Sequence, residues 1–211
     1  MADETVDHPF FARFWTFVSG HEPEAMRELR MEILAGLSGR VLEVGAGTGS
    51  NFVLYPTSVE EVVALEPERR LTEIARRTAA TAPVPVTVTP GTVAALDPGE
   101  PFDAVVCSLV LCSVQQPETV LRRLFSLLRP GGELRYLEHV ASGGARGRLQ
   151  TLADTVWPRI FGNCHTHRDT ERAIIEAGFA TQRSRRDWQF PPWLPVPVSE
   201  IALGAAMRPG N

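Results

Sequence analysis

The chain has no apolar run approaching the roughly 20 residues that a membrane-spanning helix needs, no excess of basic residues, no internal repeat and no low-complexity tract, and it has only three cysteines. Each absence removes a class of function. A formal net charge of −4 offers no basic surface for a phosphate backbone, so nucleic acid is not an expected partner. The opening Met1-Ala2-Asp3-Glu4 is acidic where a secretory signal would be basic, which together with the lack of a transmembrane segment predicts a cytoplasmic protein. Cys107, Cys112 and Cys164 form no close metal-binding pair along the chain and cannot all pair with one another, so reduced thiols are expected. His165-Thr166-His167 has no carboxylate or thiolate at a familiar ligand spacing, and no metal is predicted.

What remains is an ordinary globular composition, 44% hydrophobic and 22% charged over 211 residues, enough for one α/β domain with a full core and too little for two. A single domain over 1–211 is predicted, with a helical segment at 1–38 preceding a core at 39–211. From Arg40 onward short apolar runs alternate with helical patterns, as in a parallel sheet covered on both faces. Strands are expected near Arg40 to Val44, Glu61 to Glu66, Val84 to Val88, Asp103 to Cys107 and Glu133 to Glu138, with Ala180 to Asp187 and Ser199 to Met207 forming an antiparallel hairpin at the sheet edge. Crossover helices are marked by Leu71, Ile74, Ala75 and Thr78, by Val120, Leu121, Leu124 and Leu128 after Pro117, and by a run from about Asp169 to Ala177 ended by Gly178. Two helices precede the first strand. One aligns Phe11, Phe14, Trp15 and Val18 on a face, and the other starts at Pro23 and aligns Met26, Leu29, Ile33 and Leu37. Trp188 to Pro197 is too rich in proline for a helix or a central strand.

The strongest motif is Glu43-Val44-Gly45-Ala46-Gly47-Thr48-Gly49, which follows an apolar run, while a second run, Val62 to Leu65, ends on Glu66. A strand that stops in a glycine turn lets a ligand touch bare backbone, and an acid at the tip of the next strand can accept two hydrogen bonds from a ribose diol. That pairing indicates a nucleoside cofactor. The spacing Gly45-x-Gly47-x-Gly49 differs from the Gly-x-Gly-x-x-Gly of a pyrophosphate loop.

Through Glu43, Gly45, Gly47, Gly49 and Glu66, with Phe102 to Cys107 and Leu127 to Leu134 as later landmarks, the chain resembles the class I methyltransferases that use S-adenosylmethionine (SAM). The resemblance implies a Rossmann-like fold: a mostly parallel seven-stranded sheet with a C-terminal antiparallel hairpin and helices on both faces. It implies SAM as cofactor and S-adenosylhomocysteine (SAH) as product, held by Glu43, Gly45, Ala46, Gly47, Gly49, Asn51, Glu66, Pro67, Thr92, Val93 and Ser108. Thr92 stands where the family often has an acidic or amide residue near the adenine. In that family the segment before the first strand often closes as a lid, which is the expectation for 1–38. A narrower likeness, from Arg40 to Gly178, is to the methyltransferase-like proteins that methylate alkyl thiols, and Cys164 and Arg168 match by position.

Methyl transfer from a sulfonium needs an acceptor nucleophile held near the methyl carbon. A thiol with a pKa of about 8.5 is already partly thiolate at neutral pH, whereas a phenol near 10 needs a base. His139, after Glu138 at the end of the fifth strand, is the candidate base. Phe11, Trp15, Cys164, Arg168 and Trp188 are the candidate acceptor contacts, Phe190 and Trp193 extending an aromatic rim, with Arg168 also able to pair with Glu171. The resulting expectation is methyl transfer to a small, largely apolar acceptor, thiol favoured. The alternatives are O- or N-methylation of a secondary metabolite or quinone, and a catalytically silent SAM-binding interaction module. Oligomeric state, pathway and acceptor identity stay open.

Overall fold

Strand pairing begins where the apolar runs are densest. In the computed structural model, which describes residues 5–97 and 99–210, Gly39–Val44 (β1) pairs in parallel with Val59–Glu66 (β2) on one side and Phe102–Ser108 (β4) on the other. Val86–Pro90 (β3) extends the sheet beyond β2, and Leu128–His139 (β5) extends it beyond β4. Val41, Leu42, Val62, Val105 and Val106 have no exposed surface, as expected of strands covered on both faces.

The C-terminal strands close the sheet in antiparallel fashion. Glu200–Met207 (β7) inserts between β5 and Ala180–Trp188 (β6), giving the order β3-β2-β1-β4-β5-β7-β6. The hairpin thus forms one edge of the sheet, with β7 paired to β5 and β6 as the border strand on that side. Their side chains follow from this. Ile201 to Ala206 are buried, while β6 exposes Arg183, Arg185 and Arg186, charges that discourage edge-to-edge pairing.

Seven α-helices lie among the described residues: Pro9–Gly20 (α1), Glu24–Leu34 (α2), Arg69–Ala79 (α3), Pro117–Leu127 (α4), Gly144–Ala153 (α5), Trp157–Ile160 (α6) and Thr170–Glu176 (α7). Local chemistry sets their starts. Glu68 accepts from the backbone N–H groups of Arg70 and Leu71, and Asp169 accepts from that of Arg172. Pro23 occupies the cap position of α2 rather than its first turn, and Leu37, buried, lies past its end. The aromatic stripe of α1 is only half-buried, and Ala12 is its one buried residue. That helix is laid on the surface rather than sunk into the core. Met1 to Glu4, at the start of the 1–38 segment, lie outside the described residues.

α5 and α6 have no counterpart in the sequence reading. Their apolar periodicity is weak, and the buried members of α5 are Gly147 and Gln150. Gln150 does the packing through polarity: it donates to the carbonyls of Val140 and Pro197 and accepts from the N–H of Ser142. Arg146 on the same helix donates to the carbonyls of Pro192, Leu194 and Val196 and lies over the Trp188 ring at 5.0 Å. A proline-rich loop has few N–H groups and many free carbonyls, and one guanidinium gathers three of them.

Candidate active site

All the strand ends that open α/β sheets use for ligands converge on one rim. At its centre the chain leaves β1 and turns through Gly45, Gly47 and Gly49 with φ of 66°, 59° and 82°, a region that only glycine enters without strain. Space demands glycine as well. A Cβ on Gly45 would lie 2.5 Å from Val110 Cγ2, and one on Gly47 would lie 2.7 Å from Trp15 Nε1. The loop is thus covered by α1 from above and by the β4–α4 loop from the side.

Glu66 at the tip of β2 is buried, with one carboxylate oxygen accepting from Gly47 N–H at 2.7 Å and the other from Glu68 N–H at 2.9 Å. Each oxygen keeps a lone pair for a further donor. Burial pushes its pKa up to about 7 against the pull of those two amides. Glu43 at the end of β1 is also raised to about 7, by burial, although Tyr55 Oη and Asn51 Nδ2 donate to it at 2.7 and 2.9 Å and Arg30 lies near. Glu43 braces the loop through Asn51 and Tyr55.

Arg30 is the residue the sequence reading missed. It sits on α2, where a charge reads as solvent-facing, yet it is 5% exposed. Its guanidinium donates to Glu22 Oε1 at 2.8 Å, Asn51 Oδ1 at 3.1 Å and Ser108 Oγ at 2.7 Å. Trp15, Arg30, Glu43, Ala46, Asn51 and Ser108, with Gly45 and Ser50, enclose a cavity of about 10 Å³, the room that one water needs.

The other expected cofactor residues spread along the same rim. Pro67 lies against the N-terminal segment, its carbonyl accepting from Val6 N–H at 2.7 Å. The Thr92 carbonyl accepts from Ala95 N–H in the turn after β3, and Val93, 3% exposed, packs in the core with Leu65 and Phe102.

On the far side of the β4–α4 loop, Glu138 accepts from the N–H groups of Val110, Leu111 and Cys112 at 3.0, 2.9 and 3.1 Å. This carboxylate, fully buried and raised in pKa by burial against those amides, shapes the loop. Glu138→Ala would leave two buried donors and one half-buried donor unmatched, at about 1–3 kcal/mol for each buried one, so denaturant unfolding should report a loss of about 4 kcal/mol. Glu138→Gln, keeping one carbonyl acceptor, should lose about half of that.

His139 follows, with Nε2 3.1 Å from Gln189 Oε1 and Nδ1 3.7 and 3.6 Å from the sulfurs of Cys112 and Cys164. Burial disfavours its imidazolium, but the contacts with Cys112 and Gln189 and the charge of Glu138 outweigh this and leave its pKa raised. Arg168 Nη1 donates at 2.7 Å to the carbonyls of Leu111 and Val114. It does not meet Glu171, which pairs with Arg186. Phe11 stacks on Trp15 with centroids 5.9 Å apart, and Phe14 meets Phe161 at 5.2 Å. Phe190 lines the Cys112 and Cys164 cluster. Trp188 is half-exposed under Arg146 and Trp193 stands in solvent, so the expected aromatic rim is only partly assembled.

The profile of the methyltransferase domain family matches residues 18–183. The chain belongs to the methyltransferase family. Thiol S-methyltransferase TMT1B of Mus musculus is 36% identical over 95% of this chain and 85% of its own length, and the Homo sapiens TMT1B is 38% identical over 86% and 78%. Among solved structures, the N-methyltransferase NodS of Bradyrhizobium japonicum in complex with SAH superimposes with a TM-score of 0.67 at 15% identity, covering 88% of this chain and 86% of that one. The methyltransferase has the class I architecture and uses SAM. No helix among its described residues is long and apolar enough to cross a membrane.

Proposed function

We propose that this methyltransferase transfers the methyl group of SAM to a small alkyl thiol. When bound, SAM supplies an electrophilic methyl on a sulfonium, so the leaving group needs no acid. The chain's own residues bind and orient. The buried Glu66 carboxylate would accept the ribose hydroxyls on its two remaining lone pairs, the glycine loop would give backbone access, and Arg30 with Asn51 and Ser108 would face the amino-acid end. These polar groups suit the cofactor in kind. The enclosed space of about 10 Å³ does not suit it in size, so Trp15 and α1 must withdraw from Gly47 for it to enter. Residues 1–38 on this reading are a lid over the core at 39–211.

The observation that carries the thiol preference is the state of the two groups beside the β4–α4 loop. Glu138 has both oxygens on amides, and His139 has one nitrogen on Gln189 and the other facing two sulfurs. A phenol or ammonium acceptor would need one of them free as a base, whereas a thiol loses its proton readily near neutral pH. Likeness to thiol S-methyltransferases over 95% of the chain points the same way, and the apolar side chains Trp157, Phe161, Phe190 and Val196 around the sulfurs suit an alkyl group. Incubation with methyl-labelled SAM and a panel of alkyl thiols, phenols and amines tests the proposal. Label should appear in thioethers. Turnover of phenols or amines without thiol turnover would reject it.

A further inference from the structure

Cys112, His139 and Cys164 come from three separate places in the chain: the β4–α4 loop, the end of β5 and the loop before α7. Their separations along the sequence are 27, 25 and 52 residues. The fold brings their ligand atoms together, with Sγ to Sγ 3.8 Å and Sγ to Nδ1 3.7 and 3.6 Å. All three residues are buried, at 1%, 8% and 7% exposure. A tetrahedral zinc with Zn–S of about 2.3 Å and Zn–N of about 2.0–2.1 Å sets its sulfurs about 3.8 Å apart and each sulfur about 3.6 Å from the nitrogen. The three observed edges are those of one face of that tetrahedron.

Hydrogen bonds link the cluster only as a chain of weak sulfur contacts, Cys164 Sγ donating to Cys112 Sγ and Cys112 Sγ lying 3.7 Å from His139 Nδ1 and 3.6 Å from Ser113 Oγ. With Nε2 donating to Gln189 Oε1, Nδ1 carries a single lone pair, and two thiols converge on it. A cation shared by all three atoms satisfies each of them. The Gln189 contact is also the kind of outer support that holds a ligating imidazole in the required tautomer. We propose that Cys112 Sγ, Cys164 Sγ and His139 Nδ1 bind one zinc ion, with the fourth position open to the sulfur of the acceptor.

Zinc binding displaces the two cysteine protons to solvent and leaves a site of zero net charge. An entering alkyl thiol then exchanges its S–H bond for a Zn–S bond, its proton also going to solvent, and is held as thiolate. The cofactor cavity is one loop away. Ser108 lines it, Val110 packs on Gly45, and Cys112 follows two residues later. The metal site itself is independent of the reaction assigned above, while its fourth position rests on the thiol reading.

Cobalt substitution separates the two. The full chain, reduced and stripped with a chelator, should take up one Co²⁺ with thiolate charge-transfer and tetrahedral d–d bands that Zn²⁺ bleaches. Cys112→Ser and Cys164→Ser should each weaken Zn²⁺ binding at least about 100-fold, and Gln189→Ala about 10-fold, with SAH binding by calorimetry showing that the variants are folded. Adding ethanethiol should shift the d–d bands. A folded, SAH-binding protein that gives no tetrahedral cobalt spectrum overturns the metal site. A cobalt spectrum indifferent to ethanethiol overturns the open position. A normal cobalt spectrum with methyl transfer only to phenols or amines rejects the thiol reading and leaves the metal site standing.

Discussion

Arg30→Ala is expected to weaken SAH binding by about 100-fold, the scale seen when one partner of a buried, hydrogen-bonded charge pair is truncated. The expectation comes from where the guanidinium is held. It is 5% exposed, its Nε is fixed by Glu22, and Nη1 is fixed by Asn51 and Ser108 at the wall of the cavity beside the glycine loop. A planar fork anchored on one side presents its remaining donors as a carboxylate receptor, and the amino-acid end of SAM carries a carboxylate. Arg30→Lys keeps the charge and loses the fork, so about a 10-fold loss is expected. A purely structural role for Arg30 would weaken every ligand of the pocket alike. Binding of 5′-methylthioadenosine, which has the adenosine but no carboxylate, should instead change less than about 3-fold, a small fraction of a charged hydrogen bond. Equal losses for SAH and methylthioadenosine would sink the assignment.

The ligand-free enzyme should lose stability as pH rises from about 5 to about 8, and SAH should remove part of that loss. Glu43 and Glu66 both have pKa values raised by burial from 4.5 to about 7. Between those two values the folded state keeps a proton that the unfolded state has released. Stability is therefore fully present below 4.5, declines across the interval and levels off above about 7. At roughly 1.4 kcal/mol per pH unit the loss is about 3 kcal/mol for each carboxyl, together a fall in Tm of at least about 10 °C for a chain of this length. Asp7, Glu32, Asp103 and Asp187, all lowered in pKa, are ionised in both states across the window and do not contribute to the slope. Glu138, raised, acts in the same direction, and His165, lowered, opposes weakly from its more exposed position.

A ribose diol donating to Glu66 requires the ionised carboxylate. SAH binding near pH 6.5 should therefore release a proton, read as a dependence of calorimetric heat on buffer ionisation enthalpy. Glu66→Gln should abolish that dependence and flatten part of the Tm slope. A Tm constant from pH 5 to 8 in the ligand-free protein would refute the protonation of these carboxyls.

The elements legible in the sequence are those whose cause is local. Val62 to Leu65 ends on Glu66, and β2 ends there too; Pro117 opens α4; Gly178, with φ of 100°, follows α7. Boundaries moved where pairing rather than pattern decides: β3 starts at Val86 instead of Val84, and β5 reaches back to Leu128 because that residue pairs with Phe102 across a register shift. α5 went unread because it is anchored by Gln150 and Arg146 through hydrogen bonds to carbonyls, and a periodicity of apolar residues does not register such anchors.

By itself the sequence determined the Rossmann-like class and the glycine turn with its facing acid that is proposed to cradle the nucleoside. Apolar runs, glycines at Gly45 and Gly47 and an acid at Glu66 act through the backbone of a few neighbouring residues. The tertiary structure alone decided that Arg30 turns inward, that Arg168 clamps the loop at Leu111 and Val114, and that Cys112, His139 and Cys164 meet. Those outcomes depend on which strand ends the β3-β2-β1-β4-β5-β7-β6 order sets side by side, and residues 25 to 52 positions apart leave no trace of that proximity along the chain.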